Sequence, residues 1–150
     1  MSNVADHIHQ LEALWQSDFP LNRSMKLAVR DYKSGSIRTS APLAGNTNTH
    51  GTAFAGSLYA LQALSAWGLV WLELKQAGID GSIIHASGDI EFHAPITGDI
   101  QIQCNWVQAA DHLRQLRDHG RVKFTLTTSA GARADASPGA HFSGVYLIRT

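Results

Sequence analysis

From Thr52 to Ala77 the chain carries the period of a helix but lacks a polar side. Phe54, Leu58, Leu61, Leu64, Trp67, Val70, Trp71 and Leu74 recur at steps of three and four residues, and Ala55, Ala60, Ala63 and Ala66 fill much of the rest. A helix that is apolar all round has to be buried all round. Gly78, with Lys75 in the preceding turn, marks where it stops. Gln62, Ser65 and Glu73 interrupt the apolar run, so it does not read as a membrane span.

A small polar loop leads straight into this helix: Asn46, Asn48, Thr49, His50 and Gly51. The first backbone N–H groups of a helix have no partner within it and point outward at its positive end. The loop and the helix start are therefore expected to face a ligand.

The flanking segments say what buries the helix. Residues 3–17 form an amphipathic helix, with Val4, Ile8, Leu11, Leu14 and Trp15 on one stripe, and Asp18-Phe19-Pro20 ends it. Met25 to Tyr32 alternates and reads as a strand; Ser34-Gly35-Ser36 is a turn and Ile37 to Pro42 a second strand, the two forming a hairpin. After the central helix come strands at Ser82–Ala94, Ile100–Val107, around Val122–Thr128, and from Phe142 to Ile148. Residues 111–119 form a short helix or a loop, and Ala130 to Gly139 a turn of small residues. A curved antiparallel sheet wrapped around one long helix satisfies this order most simply, which places the chain in the α+β class.

On the strand Ser82–Ala94, simple alternation puts Ile84, Ala86, Gly88, Ile90 and Phe92 on one face. His85, Ser87, Asp89, Glu91 and His93 fall on the other, which is either a wet outer surface or a face that meets a second subunit or lines a site. Cys104 falls on the apolar side of its own strand and reads as a small buried hydrophobe.

Whole-chain properties narrow the classes. At 150 residues the chain is one domain, 1–150. Twelve basic and twelve acidic residues balance, leaving no electrostatic footprint for nucleic acid. A charged fraction of only 16% fits extensive buried surface, a subunit interface included. A single cysteine cannot form an intramolecular disulfide, and the first residues lack the basic start and apolar run of a signal peptide. A cytoplasmic location without membrane attachment is expected. No metal site is expected: His7 and His9, two apart on a helix, point to different sides and read as solvated, as do His112 and His119. Arg114, Arg117, Arg121 and Lys123 read as a solvated turn.

Several of these motifs together resemble a known family. His50-Gly51 before a long helix, Ile90-Glu91-Phe92-His93-Ala94-Pro95, and Gly98-Asp99 resemble the hotdog fold. The block Asn46 to Tyr59, with Ala66-Trp67-Gly68, resembles the thioesterase-like domain at the C-terminus of bacterial YiiD-type acetyltransferases, over most of the chain from about residue 20. The resemblance implies a homodimer, often paired again into a tetramer, joined edge to edge through the strand Ser82–Ala94. It also implies an acyl thioester substrate with no cofactor beyond its CoA portion. In such enzymes the thioester carbonyl lies at the helix N-terminus, where backbone N–H groups stabilise a developing oxyanion, and the acyl chain runs along the subunit interface. Gly51 and Gly56 would let a ligand approach the backbone. Many of these enzymes carry an Asp or Glu two to three turns into the helix; here the first acid is Glu73, near the far end.

Each candidate site residue has a structural alternative. Asn46 and Asn48 either orient a water or the thioester oxygen, or pin the loop through side-chain-to-backbone bonds. His50 is a base or an organiser of the turn. Ser57 stands where the missing acid would be expected, or merely permits close packing beside Gly56. Tyr59 is a pocket or interface wall. His85 suits proton transfer near neutral pH, and Asp89, placed by alternation on the same face, would meet a neighbour's histidine across a dimer. Three readings follow: a thioesterase, a non-catalytic acyl-thioester-binding or assembly domain, and a hydratase or dehydratase built on His85 and a partner's Asp89.

Overall fold

The structure, a computed structural model, describes residues 2–133 and 137–150. Helix α1 (Val4–Asp18) and a single turn of helix α2 (Asn22–Met25) precede the hairpin β1 (Ala28–Lys33) and β2 (Ser36–Ala41). The long helix α3 (Ala55–Ala77) is followed by β3 (Ser82–Phe92), β4 (Ile100–Asn105), helix α4 (Ala109–His119), β5 (Arg121–Gly131) and β6 (Ala140–Arg149). All strands pair antiparallel in one sheet of order β1-β2-β4-β5-β6-β3. The expected turn at Ala130 to Gly139 lies partly outside the described residues, and its first two residues still belong to β5.

The sheet buries one side of α3 and α1 closes over the other. Leu58, Leu61, Leu69, Val70 and Leu72 are at most 3% exposed. They pack with Ile37, Ile102, Phe124, Tyr146 and Ile148 from the sheet in one core. Leu11 and Trp15 of α1, both fully buried, belong to the same core. They reach α3 at Gly68, where an added Cβ would lie 2.5 Å from the Trp15 ring. The polar residues of α3 fasten it to the sheet. Thr128 donates to Gln62 (2.8 Å), whose amide donates to the Leu58 carbonyl. The Ser65 hydroxyl donates to Leu61 O, so Thr39 is the donor in the 2.7 Å bond between Thr39 and Ser65. Glu73 accepts from the Tyr32 hydroxyl (2.8 Å) and from the Gly35 N–H, tying the hairpin turn to the helix. Each group is buried and partnered, so its desolvation is offset.

Four local expectations are corrected. The chain from Met25 does not enter a strand at once: Asn22 accepts from Leu27 N–H (2.9 Å), Lys26 takes left-handed geometry, and β1 begins at Ala28. Alternating burial of Met25 and Leu27 survives without strand hydrogen bonding. His7 is buried, bonded to Gln76 and Ser2 at 2.7 Å each. His112 is half-buried, stacked on Phe124 and accepting from the Trp106 indole N–H (2.9 Å). Most consequential, β3 does not alternate throughout. His85 pairs with Tyr146 and Ser87 with Val145, leaving Ala86 as a bulge.

No helix among the described residues is long and apolar enough to cross a membrane. Trp15 spans the contact between the two helical layers, so Trp15→Ala should lower unfolding free energy by about 3–5 kcal/mol. Urea denaturation checks this; a loss below about 1 kcal/mol would mean α1 is not part of the cooperative core.

Candidate active site at the start of the long helix

The loop before α3 is built by its own side chains. Asn46 is 1% exposed; its amide nitrogen donates to Met25 O and Pro42 O, both at 2.9 Å. Two carbonyl acceptors fix the orientation of that amide, and they leave its Oδ1 buried without a partner. Its backbone carbonyl accepts from Phe54 N–H (2.8 Å), anchoring the helix start. Asn48 Oδ1 accepts from the N–H groups of His50 (2.9 Å) and Thr52 (3.2 Å), while its amide donates to Thr52 Oγ1. Gly51 (φ +75°) completes the turn in geometry that disfavours a side chain. Asp99 reaches across to the Leu43 N–H (3.1 Å). The His50 side chain is exposed and makes no hydrogen bond among the described residues.

This architecture leaves the helix start uncapped. Thr52 and Ala53 remain outside the helix, Ala53 N–H bonding Ile96 O, and Phe54 is the N-cap with no side-chain cap. The N–H groups of Ala55, Gly56 and Ser57 have no acceptor among the described residues. Ala55 and Gly56 are exposed and Ser57 is half-buried, its hydroxyl without a hydrogen bond. The Phe54 ring lies over Gly56, so any Cβ there would strike it.

One turn on, Tyr59 and His85 meet. Tyr59 follows Gly56 by three residues, on the same side of α3. Its hydroxyl lies 3.1 Å from His85 Nε2. The Ala86 bulge makes this contact possible. It moves His85 to the helix-facing side with Ile83, Gly88 and Ile90, all opposite inward residues of β6. Bulges commonly re-aim a side chain in this way. Gly88 is required beneath it, because a Cβ there would collide with the Tyr59 hydroxyl. The imidazole also packs against Tyr146 (4.8 Å between ring centres) and Phe142 (5.8 Å), and its Nδ1 is buried without a partner. Burial lowers its pKa from the ordinary 6.5, so the neutral base prevails at neutral pH.

Asp89 is on the other side of β3, lining a shallow exposed depression with Glu91, Thr127, His141 and Ser143. Its expected place on the His85 face is thus overturned by the bulge, as is the outward position of His85. Cys104, with a thiol pushed up to about 12 by burial, is inert. Arg114 pairs with Asp111 (2.6 Å) and Arg117 donates to Ala77 O (3.3 Å), both away from the loop.

The pattern of single residues missed one feature. An apolar groove of about 240 Å³ runs along α3 from His85, between Ala60, Ala63, Leu64 and Trp67 on the helix and Phe19, Leu21, Asn22 and Met25. Its walls lie some forty residues apart, so only an unexpected run of small residues along one helix stripe, Gly56, Ala60 and Ala63, could have signalled it.

Residues 8–150 match a protein-family model described as "Putative thioesterase (yiiD_Cterm)". A solved structure described as a "putative thioesterase" from Shewanella oneidensis is 31% identical, with a TM-score of 0.89 over 97% of this chain and 99% of that chain. A protein from Chlorobaculum tepidum, of unknown function, is 23% identical with a TM-score of 0.88, over 97% of this chain and 96% of that one. A Pseudomonas aeruginosa protein described as "Probable Thioesterase" is 20% identical with a TM-score of 0.80, over 94% of each chain. The wrapped helix and these matches establish the hotdog fold.

Below its pKa the packed imidazole must take a proton without gaining a charged partner. At this site the unfolded chain therefore takes up its proton first as pH falls below 6.5, so the contribution of His85 to stability is full above that value and declines below it. An NMR titration should place the His85 midpoint below 6.5; a midpoint at or above that value would contradict its packing.

Proposed function

The chain belongs to the YiiD C-terminal thioesterase family, and on that footing we propose that it hydrolyses an acyl thioester, an acyl-CoA or acyl-carrier protein, at the start of α3. One observation carries this reading: three N–H groups at an uncapped helix end, unpaired among the described residues, lie one turn before Tyr59, whose hydroxyl bonds the imidazole of His85 that burial favours in its neutral form. The N–H groups of Ala55, Gly56 and Ser57 supply the electrostatic stabilisation a tetrahedral oxyanion needs. Gly51 keeps the approach to the loop backbone open, with nothing within 4 Å of where a Cβ would lie, while the exposed Phe54 ring covers Gly56.

The proton path uses the Tyr59–His85 pair. With the proton on Nδ1, His85 Nε2 accepts the Tyr59 hydroxyl, whose oxygen accepts in turn from a water. As that water attacks the thioester carbonyl, its proton passes to the Tyr59 oxygen and the Tyr59 proton to Nε2. Collapse of the intermediate breaks the C–S bond, and the same two groups return the proton to the departing thiolate. Ser57, half-buried beside the carbonyl position, orients the water or substrate. Asn46 and Asn48 act by holding the loop, and exposed His50 lies at the mouth, facing the CoA or carrier portion.

The outer edge of β3 is unpaired along eleven residues. An exposed edge of that length is a template for pairing. We place the same edge of a second copy there, giving a homodimer that can associate further into a tetramer, in the cytoplasm. Asp89, on the outer face of β3, then belongs to the subunit contact and the substrate's outer portion.

The second reading is a domain that binds acyl thioesters without cleaving them. It is favoured by one observation: the carboxylate of α3, Glu73, is engaged by Tyr32 and Gly35 and cannot serve as base. Release of free thiol from a panel of acyl-CoAs separates the two. His85→Ala should lower kcat/KM by about 10²-fold or more, and Tyr59→Phe comparably, with ligand-induced thermal stabilisation kept. Unchanged turnover in both variants would remove the proposed relay.

A further inference from the structure

The groove beyond His85 has a shape and chemistry that specify what it takes. Its floor is the α3 stripe of Ala60 and Ala63; Phe19 and Met25 form the opposite wall. Trp67, two turns after Ala60, stands at the far end with the Phe19 ring set edge-on against it, centres 5.1 Å apart. His85 stands at the near end, beside Tyr59. No Asp, Glu, Lys or Arg among the described residues lines it. Asn22 also borders the groove, but its amide is spent on the Leu27 backbone, so among the described residues the polar groups left to meet a ligand there are the His85 imidazole and the Trp67 indole N–H.

We propose that this groove holds the acyl tail, and that the substrate is an uncharged medium-chain acyl thioester. The inference rests on the thioesterase reading for the position of the carbonyl. With the carbonyl at the helix start and Tyr59, the next turns of the same helix stripe are Ala60, Ala63 and Trp67, so the tail runs directly into the groove. From Ala60 to Trp67 the helix rises about 10 Å, the length of an extended chain of about eight carbons. The volume agrees. An apolar void of about 150 Å³ accepts benzene, and this one holds about 240 Å³. The Phe19–Trp67 pair limits the length, and a groove that offers no cation or free amide, only the indole N–H of Trp67 and the imidazole of His85, disfavours a tail ending in carboxylate.

Binding of non-cleavable thioether analogues of acyl-CoA, with tails of two to sixteen carbons, tests this without requiring turnover. Affinity should rise about fourfold per methylene from four to eight carbons and stop rising beyond about ten. An eight-carbon tail ending in carboxylate should bind at least tenfold more weakly than its methyl-ended counterpart. Ala63→Leu fills the floor and should flatten the length dependence; Ala60→Leu provides the same test if Ala63→Leu does not fold. Affinity independent of tail length in the wild-type protein would overturn the groove assignment. Length-dependent binding with no thiol release from the matching thioesters would sustain the groove and defeat hydrolysis. Thiol release with flat length dependence would do the reverse.

Discussion

Keeping α3 out of water is the requirement from which the rest of the structure follows. A helix with Leu, Val, Ala and Trp on every side cannot be satisfied by one neighbour, so the chain supplies two. The sheet takes the side bearing Leu58, Leu61, Leu69 and Leu72, and α1 takes the side around Gly68, through Leu11 and Trp15. Neither layer covers the stripe from Gly56 through Ala60, Ala63 and Trp67, and that incompletely covered stripe is where the groove lies. The site is thus the remainder of the packing problem. It begins at the helix end whose N–H groups are unpaired and continues along the one apolar stripe the fold leaves accessible.

The polar residues divide between holding and acting. Gln62, Ser65 and Glu73, which break the apolar period of α3, are all consumed in bonds to the sheet and hairpin. Asn48 spends its side chain on the loop, and Asn46 does so through its amide nitrogen. His85 and Tyr59 are different. They bond to each other, with His85 Nδ1 unpartnered in an aromatic surround of Tyr146 and Phe142 that keeps the imidazole neutral. In the proposed mechanism this neutral base beside the helix end takes the part that a helix carboxylate plays in many related enzymes.

Much of the fold could be read in the residues because burial imposes periodicity. The three-and-four spacing of α3, the stripe of α1 and the alternation in β4, β5 and β6 each follow from facing one core. The failures occur where local hydrogen bonding overrides pattern. Asn22 bonds back to Leu27 and delays β1, and the bulge at Ala86 resets β3 after His85. Neither glycine nor proline marks that bulge, so alternation assigned His85 to the polar face with Asp89, and the structure separates them. The loop from Asn46 to Gly51 was legible as the entry to α3. The groove was not, because Phe19, Met25, Ala63 and His85 become neighbours only in the folded chain.

The proposed mechanism puts the carbonyl at the start of α3, the tail in the groove and the base at His85. A crystal structure with a non-cleavable acyl-CoA analogue that retains the carbonyl, such as a ketone with an eight-carbon tail, tests it most directly. The carbonyl oxygen should lie within hydrogen-bond distance of the Gly56 or Ser57 N–H, with a water on the Tyr59 hydroxyl and the tail against Ala63 and Trp67. A carbonyl held away from α3, with the groove empty, would contradict it.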